Sequence, residues 1–207
     1  MGQSDWDQRY ASGEAPWDVG ETDEHLAGFI EAGRAQAGRA LEVGCGTGTN
    51  ALWLAGRGFQ VVGVDLSGLA VERAKAKAKD SKACEFHRLD FLLDDVPRAP
   101  FDFAFDRGCF HVFDEAADRA RFAERIAALL APEGLWLSLI GSTEGVERLE
   151  GPPRRSARDV AMAIEPALEL VELRQVSFTS NRPTPALAWL SLARRRAVPA
   201  QPSTRRP

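Results

Sequence analysis

Three glycines at alternate positions, Gly44, Gly46 and Gly48, lie in the stretch LEVGCGTGTN. Glycine at such spacing lets backbone approach a ligand closely and tolerates conformations other residues resist. Nineteen residues past Gly46, at the end of the apolar run VVGVD, stands Asp65. A carboxylate at the tip of the neighbouring strand can accept hydrogen bonds from both hydroxyls of a ribose. Asp90, in HRLDF, ends a third run. It can accept from an exocyclic amino group such as that of adenine, and taken alone it suits the start of a turn equally well. The three features together describe a pocket for a ligand that carries adenosine.

Phosphate-reading parts are incomplete. A dinucleotide fingerprint, GxGxxG, would place its third glycine at position 49, where Thr49 stands, and the GxxxxGK[ST] phosphate loop needs a lysine that this turn lacks. A nicotinamide-dependent oxidoreductase stays the runner-up, and a non-catalytic cofactor-binding module is a third reading. A second group of reactive side chains follows FDFAFD in the stretch FDRGCFHVF, which carries Arg107, Cys109 and His111. His111 is the candidate base, although a histidine satisfied at the rim of a site fits as well. The lead WDQRYASGEAPWDVG holds Trp6, Tyr10 and Trp17, whose faces could cover a cation or staple the lead to a core.

These residues need a scaffold that alternates strand and helix. ALEV, VVGVD, EFHRLD, FDFAFD and LWLSLI read as five strands. Between them, Thr22 is expected to cap a helix that carries Asp23 and Glu24 in its first turn. Further helices are expected over Thr49 to Arg57, from Ser67 to about Lys79, and from Asp114 to the Pro132/Gly134 break. Ser156 with Asp159 makes a capping box for a short helix ending near Pro166. LELVELRQVSF and ALAWLSLARR follow with only TSNRPTP between them, too short for a parallel crossover, so they should pair antiparallel. The sum is an α/β fold: a mainly parallel sheet ending in an antiparallel hairpin.

Composition narrows the function classes. A chain of 207 residues suits one domain, expected over residues 1–195 with residues 1–21 as an aromatic lid segment. No apolar run reaches the ~20 residues of a membrane helix, and MGQSDWDQRY lacks a basic, then apolar, secretory pattern. Cys45, Cys84 and Cys109 are odd in number and form neither a metal motif nor a disulfide framework, which suits a reducing cytoplasm. The formal charge is -4 even with five arginines in the last fourteen residues, so the body is strongly acidic and unsuited to tracking phosphates of a nucleic acid. Residues 196–207, Pro-rich and basic, are expected to be disordered. The four lysines, Lys75, Lys77, Lys79 and Lys82, read as a solvated helix face.

LEVGCGTG, VVGVD, the acid of HRLDF and FDFAFD resemble the successive motifs of class I S-adenosylmethionine-dependent methyltransferases, over roughly residues 22 to 195. The resemblance implies a Rossmann-like seven-stranded sheet of order 3-2-1-4-5-7-6, with strand seven antiparallel and helices on both faces. It implies S-adenosyl-L-methionine as cofactor and no metal. By the same likeness Gly44 and Gly46 would line the methionine part and Glu42 would act near its amino group. Asp65 would hold the ribose, Leu66 would pack on adenine, and Asp90 with Phe91 would meet the adenine edge. The Trp6–Tyr10–Trp17 lead, Asp106-Arg107-Gly108 and the GPP at 151–153 are similar to the thiopurine, thiol, halide and tellurite methyltransferase branch. There Trp6 to Trp17 would close over the cofactor and Arg107 would approach cofactor and substrate. The expected partner is a small-molecule methyl acceptor, with neither nucleic acid nor membrane, and the expected assembly a monomer or weak homodimer. A thiolate acceptor, with an ordinary pKa of about 8.5, needs no base. A hydroxyl or ammonium acceptor, in an O- or N-methyltransferase, does.

Overall fold

A computed structural model describes residues 3–79, 81–146, 151–179 and 185–196. Its strands are β1 (Arg39–Val43), β2 (Gln60–Asp65), β3 (Cys84–Arg88), β4 (Phe101–Arg107), β5 (Leu130–Gly141), β6 (Leu168–Ser177) and β7 (Leu187–Arg195). They form one sheet in the order β3-β2-β1-β4-β5-β7-β6. β1 to β5 are parallel, while β7 runs antiparallel to both β5 and β6. The expected topology and terminal hairpin are therefore present. The helices are α1 (Gln3–Ser12), α2 (Glu24–Glu31), α3 (Thr49–Ala55), α4 (Gly68–Lys77), α5 (Ala116–Leu129) and α6 (Ala157–Ile164).

Strands β1, β2 and β4 are buried nearly throughout because helices cover both faces of the sheet. One core packs α5 and α6 through Phe122, Ile126, Val160 and Ile164 against Leu41, Val62 and Trp136. The other packs α2, α3 and α4 through Leu26, Phe29, Leu54 and Val71 against Phe103, Phe105 and Leu139. Phe101 falls in the first core and Phe103 in the second, and the β4–β5 register slips between them. Each such fully buried ring contributes about 1.5–3 kcal/mol.

Several boundaries differ from those expected. Asp23, not Thr22, caps α2, its carboxylate accepting from the N–H groups of His25 and Leu26. α3 ends at Ala55 and α4 at Lys77. Asp114 does not cap α5; that position is Glu115, without a side-chain bond, and Asp114 instead pairs with Arg155. Pro132 and Gly134 lie within β5, which starts directly after α5 and takes up the register slip. The start of the lead is a helix, α1. The Ser156/Asp159 capping box is present. Lys77 is not simply solvated, since its ammonium donates to Thr47 Oγ1 at 2.7 Å. Of the basic tail, Arg196 is paired with Glu165, and residues 197–207 lie outside the described ones. No helix among the described residues is long and apolar enough to cross a membrane.

Strand order reverses at β1, which lies between β2 and β4. A crevice opens outside the carboxyl ends of strands at such a point. Glu42, the glycine turn, Asp65 and Arg107 all stand at this end.

Candidate active site

The glycine turn is built by its neighbours as much as by itself. Gly44, Gly46 and Gly48 all have positive φ (68°, 53° and 79°). A Cβ on Gly44 would lie 2.9 Å from the Cβ of Cys109, and one on Gly46 would lie 2.8 Å from the Tyr10 hydroxyl. Gly48 has a different duty: a Cβ there would strike Phe86 and Ala74, so it permits α3 to pack against β3 and α4. Asp65 pins the turn. Its Oδ2 accepts from Gly46 N–H and its Oδ1 from Ser67 N–H, both at 2.8 Å. A carboxylate has about four acceptor sites, so capacity remains on both oxygens. Burial pushes the Asp65 carboxyl up, against the pull of these two backbone donors.

Glu42 lies on the cavity wall beside the turn and is 2% exposed. Its Oε1 accepts from the Asn50 amide at 3.1 Å, but its Oε2 is buried without a partner. Burial raises its pKa to about 8, with the Asn50 bond opposing. A buried acceptor with nothing to accept from is costly, and Glu42 contributes to the cavity wall beside the exposed Gly44.

The aromatic lead closes over this turn. Trp6 and Tyr10, four residues apart, share one face of α1. Both meet Trp17 edge-on, at ring distances of 5.7 and 6.2 Å. Trp17 Nε1 donates to the Tyr10 hydroxyl. Asp7 anchors α1 by accepting from Ser67 Oγ and Leu69 N–H at the start of α4, and Arg73 donates to the Tyr10 carbonyl. Tyr10 is buried, and that burial, with the nearby Asp65 charge, drives its phenol pKa upward. The cavity left between lead and turn is only ≈ 50 Å³, far below the roughly 300 Å³ where small-molecule pockets begin. A ligand the size of a nucleoside enters only if the lead lifts.

Arg107 ends β4 and ties the lead down. Its Nε donates to Asp23 Oδ2 at 2.8 Å, Nη1 to the Trp17 carbonyl at 3.3 Å and Nη2 to the Thr179 carbonyl at 2.5 Å. The guanidinium thus joins the N-terminus of α2, the lead and the segment after β6. Asp23 N–H in turn donates to Asn50 Oδ1 at 3.0 Å. Glu42, Asn50, Asp23, Arg107 and the Trp17 carbonyl therefore form one continuous chain of hydrogen bonds.

The turn after β4 is set by Asp106, fully buried, which accepts from Cys109 N–H, Phe110 N–H and Trp136 Nε1. Burial raises its carboxyl to about 6. His111 lies behind this turn, buried, with Nδ1 accepting from Gly141 N–H at 2.7 Å. That bond puts the neutral ring's proton on Nε2. Burial, reinforced by Arg155 and Arg107, lowers its pKa to about 3. Burial raises the Cys45 and Cys109 thiols well above their ordinary range.

Of the residues expected at the site, Glu42, Gly44, Gly46, Trp17 and Arg107 share the cavity wall. Asp65 lies behind Gly46, and Leu66, half-buried, follows it. Asp90 Oδ1 caps its own turn by accepting from Leu92 N–H. Phe91 is turned into the core, 4.6 Å from the ring of Phe122. Trp6 supports Trp17 from outside, and His111 is not on the wall. Four contributors outside that set are Tyr10, Asp18, Asp23 and Asn50. Asp18 accepts from Thr47 Oγ1. Asn50 could have been suspected from its place at the end of GTGTN; Asp18 carried no sequence signal.

Comparison with known proteins identifies the family. Residues 1–187 match the family model for thiopurine S-methyltransferase. A probable thiol methyltransferase 2 of Arabidopsis thaliana is 35% identical over 152 residues, 72% of this chain and 65% of that protein. A thiocyanate methyltransferase 1 of Brassica oleracea is 28% identical over 180 residues, 85% of this chain and 76% of that protein. The chain thus spans about two thirds to three quarters of these relatives. A solved structure from work on conversion of a disulfide bond into a thioacetal group during echinomycin biosynthesis superposes with a TM-score of 0.79. It is 26% identical and covers 93% of this chain and 91% of its own.

Proposed function

Because the chain belongs to the thiopurine S-methyltransferase family, whose methyl donor is S-adenosylmethionine, we propose that it methylates a small soft nucleophile, with a thiol sulfur as the leading acceptor. The site fits the cofactor: Gly44 and Gly46 keep backbone free of Cβ atoms, and beside them the buried Glu42 Oε2 lacks a donor. Glu42 would receive the amino group and the Gly44–Gly46 backbone would line the methionine part. Asp65 would take the ribose hydroxyls, Leu66 would lie on adenine, and Asp90 would take its amino edge with Phe91 supporting that turn from the core. Trp17, backed by Trp6, would cover the site, and Arg107 would hold that cover in place.

When bound, the sulfonium supplies a methyl group already activated for in-line displacement. The chain's task is then to align two reactants and exclude water, which suits a lid that Arg107 joins to the start of α2 and to the segment after β6. The soft-acceptor part rests on His111. With Nδ1 occupied by Gly141 N–H and its pKa near 3, this histidine is a poor base for a hydroxyl or ammonium acceptor; it holds the β4 turn against β5 instead. A thiolate needs no such base. The likeness to proteins named thiol and thiocyanate methyltransferases supports the same reading. Incubation with methyl-deuterated cofactor and mixed thiols, halides, selenols, phenols and amines, read by mass spectrometry, should label the soft nucleophiles. Label confined to amines or hydroxyls would overturn the proposal.

A further inference from the structure

The charges around the cavity narrow the acceptor further, given the soft-nucleophile reading. Arg107 is the one cation among the described residues lining it. Its charge is already matched by Asp23, fully buried, and each of its three nitrogens donates to a protein oxygen. Lys77 stands behind Thr47, outside the wall. Two carboxylates remain on the wall beyond the Arg107–Asp23 pair, Asp18 and Glu21, both exposed; the buried Glu42 beside them is reserved for the cofactor's amino group. A cleft lined by one sign of charge repels like-charged ligands and changes their arrival rate by factors of about 10 to 1,000. Among the described residues, nothing on the wall offers an anion a free cation.

We propose that this site takes acceptors that are uncharged or cationic, such as neutral or amino-bearing organic thiols, and discriminates against anionic ones, inorganic anions such as thiocyanate and iodide included. The thiol enters as R–SH and gives its proton to water. Its sulfur forms the new bond to the methyl carbon as the sulfonium carbon–sulfur bond breaks, that electron pair staying on the donor sulfur. Acceptor charge, rather than softness alone, then sets the ranking.

Three small thiols that differ in charge test this: cysteamine, 2-mercaptoethanol and mercaptoacetate, with thiocyanate and iodide alongside. Each thiol's kcat/KM is divided by its own un-ionised fraction, the form that enters. The expected order is cysteamine at or above mercaptoethanol, and mercaptoacetate at least about tenfold lower. The gap should narrow at high ionic strength, where exposed charges are screened. Glu21→Lys, at an exposed position, should raise the mercaptoacetate-to-mercaptoethanol ratio at least about threefold. Turnover of mercaptoacetate or thiocyanate as efficient as that of mercaptoethanol, or a ratio unmoved in Glu21→Lys, overturns the charge rule while leaving thiol methylation intact. Failure of every thiol and anion with labelled amines or hydroxyls overturns the soft-nucleophile reading itself.

Discussion

The glycine turn and the aromatic lead face each other across one small cavity, yet they are held in opposite ways. The turn is bounded by β1 and α3, and its main restraint, Asp65, comes from the adjacent parallel strand. The lead reaches the same place through bonds spanning 60 residues or more: Ser67 and Leu69 to Asp7, and Arg107 to the Trp17 carbonyl. One side is a rigid cradle inside a buried sheet. The other is a cover fastened by a few polar contacts. Such contacts are the kind that open locally at low free energy, and opening is what a cavity of ≈ 50 Å³ requires. The difference teaches that binding and closing are separate properties of this site, addressable by separate substitutions.

The largest effect should come from the cradle. Asp65→Ala removes the acceptor for Gly46 N–H and Ser67 N–H and the proposed partner of the ribose. Affinity for S-adenosylmethionine should fall by on the order of 100-fold or more, the worth of two charge-assisted hydrogen bonds. Titration calorimetry on a variant shown by circular dichroism to be folded checks this; unchanged affinity would remove Asp65 from the site.

Substitution of Arg107 should separate the cover from the cradle. Arg107→Lys keeps the charge but cannot span Asp23, the Trp17 carbonyl and the Thr179 carbonyl at once. Truncation to Ala would also leave Asp23 buried and unpaired, at a cost of roughly 3 kcal/mol. In Arg107→Lys, limited proteolysis between α1 and α2 should speed up and kcat should fall more than cofactor affinity. Equal losses in kcat and affinity would mean that Arg107 serves the cradle as well.

How much of this was legible follows the same division. The glycine spacing, Asp65 and the strand runs are short-range signals that disclose the mainly parallel sheet and its hairpin, while the sheet order and the placing of Glu42, Gly44 and Gly46 at one site come through the family resemblance those motifs carry. By sequence Asp23 reads as a first-turn acid and Thr22 as the cap, because either side chain can accept from the helix N-terminus. Only the approach of Arg107, 84 residues away, gives Asp23 its second role. Asn50 and Asp18 act through partners that no local pattern announces. His111 reads equally as a base or as a satisfied histidine from its place just after β4, and what decides between them, the Gly141 N–H that occupies its Nδ1, arrives from β5. Charge and spacing disclose the cradle; the cover exists only once distant segments meet.

Glu42 links the two halves and gives a pH signature. Its carboxyl, raised to about 8, is largely protonated at neutral pH, whereas an ammonium group beside Oε2 would favour the ionised form. Cofactor binding at pH 7 should therefore release a proton, seen as a dependence of calorimetric enthalpy on the ionisation heat of the buffer. The sign for stability is the reverse of a salt-bridged acid. The folded state binds the proton more tightly than the unfolded one, so this group's contribution declines as pH rises from about 4.5 to about 8. Glu42→Gln should bind the cofactor about tenfold more weakly, yet lose less stability than the parent between those pH values. A buffer-independent enthalpy would mean that Glu42 is already ionised before the cofactor arrives.

The smallest effect on rate should come from His111, and it is the sharpest test of what lies outside the chemistry. Held near pKa 3 chiefly by burial, this histidine binds fewer protons when folded than when unfolded. Its contribution to stability is therefore complete above about 6.5 and is lost as pH falls from there toward 3. His111→Phe should remove that acid sensitivity, and by leaving Gly141 N–H without an acceptor it should cost about 1–3 kcal/mol at neutral pH. His111→Asn, able to accept from the same N–H, should recover part of the loss. In both variants the pH profile of kcat should keep the shape of the parent's. A profile that loses a limb near neutrality in both would return His111 to proton transfer, and with it a hydroxyl or amine acceptor.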